Sequence, residues 1–223
     1  MLALTQIDQA LKRLYNLETN HCAEHFLLPS PPDRYLKKVA SKDLQGALYI
    51  YSDDTDKLIK EQTVDLGIYL SNGVEEELKT FATWQNPWKI DQLKAFTVAT
   101  EEVSHFHYLI YNLERERRVS QFELELQGEI DKFLLLFFCK SLSQDKGRLR
   151  FEDIFQQLFW NYQLASHLSE EEKERYLDAS RYAQRFIRKM KTLFGENLKI
   201  PQVLKQTRLF YRMALGYKMA FLH

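Results

Sequence analysis

Read as a pattern of apolar and polar positions, the chain changes character near residue 87. From there to about residue 200 apolar residues recur every three or four positions, and no proline intervenes between Pro87 and Pro201. That period predicts helices over 87–116, 121–142, 151–166 and 170–194, with another over 74–84 and a last one over 201–221. Several starts are legible. Asn86-Pro87 pairs a capping residue with a first-turn proline, and Ser120 with Glu123 and Ser169 with Glu172 have capping-box spacing. Val119 and Leu124 stand at the positions of a hydrophobic staple. The staple matters because residues 122–126 alternate apolar and acidic as a strand would, and the cap decides for helix.

The first 86 residues are mixed. A helix fits Thr5 to Leu17, with Ile7, Ala10, Leu11 and Leu14 on one side, and a short one follows Ser30-Pro31-Pro32-Asp33. Ala47–Tyr51 and Val64–Leu70 are rich in tyrosine and branched residues and are followed by turn formers, which predicts a small antiparallel hairpin over about 47–70. Two strands alone are marginal in water, so the pair must lie on helices. The expected fold is mainly α, a helical bundle with a small antiparallel β-hairpin in its N-terminal part. A single domain covers 1–223, divided into a mixed part (1–86) and a bundle (87–223).

Composition narrows the setting. Apolar residues make up 45% and aromatics 13% of the chain, enough to build a core. The longest apolar run, Phe133–Cys139, is far short of the roughly 20 residues that cross a bilayer, so no membrane span is expected. The N-terminus lacks the cationic and apolar stretches of a secretion signal, and the two cysteines, Cys22 and Cys139, are too few for a disulfide framework. The expected location is cytoplasmic, with both thiols reduced and buried.

The candidate chemistry lies on two adjacent helices. On a helical wheel of 87–116, Ala95, Val98, Ala99, Phe106, Leu109 and Leu113 form an apolar stripe with Glu102 at its centre and His105 at its edge. In 121–142 the stripe of Phe122, Leu126, Phe133, Leu136 and Phe137 contains Glu129, with Glu125 beside it. Buried carboxylates need a counter-ion, a shared proton or a metal. Glu102, His105, Glu125 and Glu129 are therefore the candidate metal ligands, and oxygen ligands with imidazole suit iron, manganese or zinc. The pattern holds one Glu-x-x-His where a di-iron bundle has two. With a turn at 117–120, Glu102 lies about 10 Å farther from the turn than Glu129, so the two meet only if the first helix ends near Asn112. The competing expectation pairs Glu102 with a basic or tyrosine side chain of a neighbouring helix and leaves Glu125 and Glu129 at a boundary; His107, on the opposite side of its helix, is expected to face solvent.

Two weaker motifs stand apart. His21-Cys22-Ala23-Glu24-His25 has the His-x-x-Glu-His order of inverted zinc peptidases but needs a firm helix to work. Asp53-Asp54-Thr55-Asp56 is acidic without the glycine and closing glutamate of a calcium loop. No phosphate loop, nucleophile elbow or dinucleotide fingerprint occurs, which removes the common nucleotide-dependent classes.

Net charge is zero, yet residues 179–223 carry ten Lys or Arg against Glu196 alone, leaving the rest of the chain at −9. Arg181, Arg185 and Arg188 share one helical face, as do Lys205, Arg208 and Arg212, which makes them candidate polyanion contacts. These charged amphipathic helices, with aromatics such as Trp84 and Trp88, point first to a binding or scaffolding protein whose partner is another protein. A metal-binding bundle or carboxylate/histidine metalloenzyme is the alternative, and nucleic-acid or polyanion binding the third reading.

Overall fold

The structure, a computed structural model, describes residues 2–32, 44–51, 65–80, 90–142, 151–160, 168–193 and 200–223. The expected helix after Ser30-Pro31-Pro32, the acidic run 53–56, the Asn86-Pro87 cap, Trp84 and Trp88 lie outside these residues.

The described residues form eight α-helices and a small sheet. In chain order these are α1 (Leu2–Tyr15), a 3-10 turn (Ala23–Phe26), β1 (Leu27–Leu28), β2 (Gly46–Tyr51), β3 (Asp65–Leu70) and α2 (Asn72–Thr80). There follow α3 (Ile90–Leu113), α4 (Gln121–Leu142), α5 (Phe151–Phe159), α6 (Glu170–Lys189), α7 (Ile200–Arg212) and α8 (Leu215–Leu222). The expected mainly α fold is present. The hairpin is present too, β2 and β3 pairing antiparallel with Tyr49 opposite Gly67, but it is part of a mixed sheet because β1 adds to β3 in parallel, in the order β1-β3-β2. Two residues are too few for β1 to be read from sequence.

Local chemistry accounts for the helix boundaries. Both capping boxes form: the Ser120 side chain accepts from the Glu123 N–H while Glu123 accepts from the Ser120 N–H, and Ser169 and Glu172 repeat the exchange. At the other end α1 and α3 close in Schellman fashion. Leu17 N–H reaches back to the Lys12 carbonyl with Asn16 at φ 52°, and Arg117 N–H to the Asn112 carbonyl with Glu116 at φ 53°. The second closure ends α3 at Leu113, which meets the condition under which Glu102 and the acidic face of α4 come level.

The last predicted helix is interrupted. Instead of running from 201 to 221 it stops at Arg212 and restarts at Leu215, and Arg117 donates to the Arg212 carbonyl left open by the break. The restart swings Lys218 into the core, where it is fully buried.

Helices α3 and α4 are the centre of the molecule. They run antiparallel, and α3 packs on α4, α2, α1 and the sheet, while α4 also packs on α6, α5 and α1. A helix surrounded in this way is buried around its circumference, which explains why Glu102 through Asn112 form one unbroken buried run. Among the described residues no helix is long and apolar enough to cross a membrane.

Candidate metal centre

The α3–α4 interface contains a concentrated set of buried ionisable side chains. Glu101, Glu102 and His105 come from α3, and Glu125, Glu129 and Lys132 from α4. Ligand atoms of Glu101, His105 and Glu125 all lie within 4.8 Å of one another. His105 is clamped between two carboxylates, its Nδ1 3.7 Å from Glu102 and its Nε2 3.7 Å from Glu125. Both distances exceed a hydrogen bond, and His105 Nε2, Glu125 Oε2 and Glu102 Oε2 are buried without hydrogen-bond partners. Lys132 Nζ bridges Glu101 at 2.9 Å and Glu129 at 2.7 Å.

Two glycines open the space for this arrangement. A Cβ on Gly128 would sit 3.0 Å from His105 Nε2 and 3.3 Å from Glu101 Cγ. A Cβ on Gly46, at the start of β2, would lie 3.0 Å from Glu102 Cγ and 2.7 Å from Val98 Cγ1. Glycine costs a helix interior about 1 kcal/mol relative to alanine, so Gly128 gives up helix stability where the imidazole needs room.

The electrostatics follow from four carboxylates facing one ammonium and one imidazole. Burial pushes Glu125 up to about 8, against the partial relief of the His105 charge. Burial would also raise Glu101, but the Lys132 and His105 charges hold it below the usual carboxylate range. Burial alone would lower His105, yet its contact with Glu102 and the charges of the surrounding carboxylates carry it up to about 9. Glu102 and Glu129 are both raised by burial. At neutral pH the site thus holds two protons, one on His105 and one on Glu125, in the space between its ligand atoms.

The four residues expected from sequence meet at this interface in different roles. His105 and Glu125 converge. Glu102 stands behind the imidazole at the other ring nitrogen, where a carboxylate orients a ligating histidine. Glu129 is bonded to Lys132. Glu101, half-buried, completes the converging set and was not among the expected ligands, although its spacing of four residues from His105 is legible. Lys132 supplies the basic partner that the competing expectation sought, for Glu129 and Glu101 rather than for Glu102.

A second polar layer lies one helical turn away. Asp131 accepts from Ser104 Oγ at 2.6 Å, from Gln127 Nε2 at 3.0 Å and from the Tyr15 hydroxyl. Lys218 donates to the Tyr108 hydroxyl at 2.9 Å and to Gln127 Oε1 at 3.4 Å. Burial drives its amine down from 10.5 to about 7, although the charges of Glu123 and Asp131 oppose this and Arg117 reinforces it. Between those two values the unfolded chain binds the proton more tightly, so the stability of the native chain relative to Lys218→Met should rise with pH. Urea titrations at pH 6, 8 and 9.5 should show the difference growing above pH 7, with a slope no steeper than about 1.4 kcal/mol per pH unit.

Other sequence features fall as follows. His107, expected in solvent, is buried; its Nε2 bonds Asp8 at 2.9 Å, because the side of α3 opposite Glu102 is covered by α1. His21 precedes the single 3-10 turn Ala23–Phe26 that contains His25, and both histidines are exposed, so the segment lacks the helical repeat that would aim them at one ion. Cys22, expected to be buried, is half-buried and takes a contact from Lys12 at 3.6 Å; the Cys139 side chain lies outside the described residues. Among the basic residues, Arg208 donates to the carbonyls of Arg13 and Leu14, and Arg212 to that of Tyr15, so both close the C-terminus of α1. Arg181 pairs with Asp178, Arg185 stacks on Tyr182 and Arg188 on Phe155, while Lys205 is exposed.

In comparisons with known proteins, no family model, curated protein or solved structure matches the chain.

Proposed function

We propose that this protein binds a divalent transition-metal ion between α3 and α4, with Glu101, His105 and Glu125 as its ligands. The observation that carries the reading is the convergence of these three donors within 4.8 Å, with His105 Nε2 and Glu125 Oε2 buried and unpartnered. Desolvated acceptors and charges of this kind are costly unless something satisfies them. An ion replaces the two protons held there and supplies the same two positive charges, among four carboxylates and the Lys132 ammonium. One imidazole and two carboxylates suit manganese, iron or zinc. Three protein ligands also leave coordination positions for water or a substrate, the arrangement of catalytic rather than structural sites. Glu101 and Lys132 line a cleft of about 960 Å³ between α2, α3 and α5, which gives the site a route to solvent.

Elemental analysis of protein purified without chelator or affinity metal tests the reading. Near-stoichiometric metal is expected in the native chain and in Glu129→Gln, and none in His105→Ala or Glu125→Ala. Folded native protein that contains no metal and takes up none of manganese, iron or zinc would overturn it.

Partner binding, the first expectation from sequence, draws support from Leu209 and Tyr217, large apolar side chains 50% and 75% exposed on α7 and α8. Polyanion binding retains the exposed cations of α6 and Lys205, but Arg208 and Arg212 already serve as helix caps.

A further inference from the structure

Within the candidate metal centre, α4 repeats the spacing of α3 with one change. Glu102 and His105 stand three residues apart on α3, and Glu129 and Lys132 stand three residues apart on α4. Bundles that hold two ions carry a Glu-x-x-His pair on each of two helices, so lysine stands here at the position of the second histidine. The change exchanges a neutral ligand for a resident cation. Lys132 Nζ lies between a carboxylate of each helix, 2.9 Å from Glu101 Oε2 and 2.7 Å from Glu129 Oε1, with 6% of its side chain exposed. Burial penalises the charge on Glu101, Glu102, Glu125 and Glu129 alike, and the Lys132 charge opposes that penalty at all four.

Charge decides how many ions such a site can hold. With His105 neutral as a ligand, four ionised carboxylates, Lys132 and one divalent ion leave a single net negative charge, and a second ion beside the ammonium would make the buried site positive. Without the ammonium, two ions would balance the four carboxylates. Ligands for a second ion are present: Glu129 and the Lys132-facing oxygen of Glu101 already embrace a cation, and Glu102 Oε2 and Glu125 Oε2 are buried without hydrogen-bond partners. Glu101 and Lys132 also line the cleft of about 960 Å³, so an ion can reach this pair from solvent.

We propose that Lys132 stands in for a second metal ion, its ammonium restricting the native chain to one ion in a site whose carboxylates could take two. The inference rests on the metal-binding reading and adds the stoichiometry and the residue that sets it. A histidine at 132 falls short of lysine by about 2 Å, the length of a metal–nitrogen bond, so an ion bound to it would lie near the present place of Nζ. Two ions there would be bridged by Glu101, one oxygen to each, as in two-metal sites whose ions lie about 3.5–4 Å apart.

Metal-free native protein and Lys132→His, each saturated with manganese(II) and freed of excess by gel filtration, should retain one and two ions per chain by elemental analysis. The native chain should give the electron paramagnetic resonance spectrum of an isolated manganese ion, and the variant that of an exchange-coupled pair, which damage to the fold does not imitate. Lys132→His combined with Glu129→Gln should return to one ion, because the second ion loses a ligand while the first keeps all three. Should Lys132→His unfold when metal-free, manganese should restore its fold, since the second ion supplies the charge that lysine carried. Native protein with no ion would overturn the metal-binding reading itself, and this inference with it. Native protein with two ions, Lys132→His that retains fewer than two or stays unfolded in excess manganese, or a double variant that still holds two, would overturn this inference and leave the reading intact.

Discussion

Replacing Asp131 by alanine should lower the free energy of unfolding by about 3–5 kcal/mol, the range for breaking a buried polar set by removing one partner. For a domain whose total stability is of order 5–15 kcal/mol this is a large fraction. The size follows from what the carboxylate serves. Ser104, Tyr15 and Gln127 donate to it from α3, α1 and α4, so its loss strands three donors inside the core and removes one of the two negative charges, with Glu123, that favour the Lys218 ammonium. Ser104→Ala, which removes one donor and leaves the others in place, should cost only about 1 kcal/mol. The deficit should also depend on pH. Burial raises Asp131 from 3.8 to about 6 despite its hydrogen bonds, so the folded chain holds this proton more tightly than the unfolded chain. Its contribution is therefore greatest at the acid end and declines as pH rises toward 6, and the Asp131→Ala deficit should be larger at pH 4 than at pH 7. Chemical denaturation at the two values measures it. A deficit below about 1 kcal/mol at both would show that the donors find other partners.

The two buried polar layers were only partly legible in the sequence, and the division has a physical cause. Signals confined to a few consecutive residues were readable: the serine and glutamate of each capping box placed the starts of α4 and α6, and the wheel placed Glu102 and His105 in the interior. Features set by contacts distant in sequence were not. His107 looked exposed because a wheel assumes one buried face, whereas α3 is covered by α4 on one side and α1 on another. Nothing local at Met213-Ala214 announces a break, since neither proline nor glycine stands there. The break accompanies the insertion of Lys218 beneath Tyr108 and the donation of Arg117 to the freed Arg212 carbonyl, two contacts across about a hundred residues. The basic face of 205–212 offered candidate polyanion contacts, but two of its three cations, Arg208 and Arg212, have their partners in the terminal carbonyls of α1, which no local pattern announces. Within the candidate metal centre, Lys132 falls on the face of Glu125 and Glu129 by its spacing of seven and three, a signal present in the sequence that only the acidic residues had drawn attention to.

Gly128→Leu is expected to abolish metal uptake and to destabilise the chain by about 1–3 kcal/mol, although leucine is the better helix former by most of 1 kcal/mol. The two effects share one cause. The first carbon of the new side chain already meets His105 Nε2 at 3.0 Å and Glu101 Cγ at 3.3 Å, and the branched remainder has to occupy the space in which the three ligands converge. Relief is available only if His105 moves, and it is held between Glu102 and Glu125 within a buried face. The double variant Gly128→Leu, His105→Ala separates this explanation from a general intolerance of leucine in α4. Deleting the imidazole makes the room that leucine needs, so the destabilisation should be suppressed by more than about 1 kcal/mol, a coupling typical of residues in direct contact. Denaturation of the native chain, both single variants and the double variant closes the cycle. Additive effects would mean that Gly128 is not there to admit the imidazole, and the glycine would lose its place in the argument for the site. Strong coupling together with lost metal in each variant would tie one helix-weakening residue of α4 to the same ligand set that the elemental analysis tests.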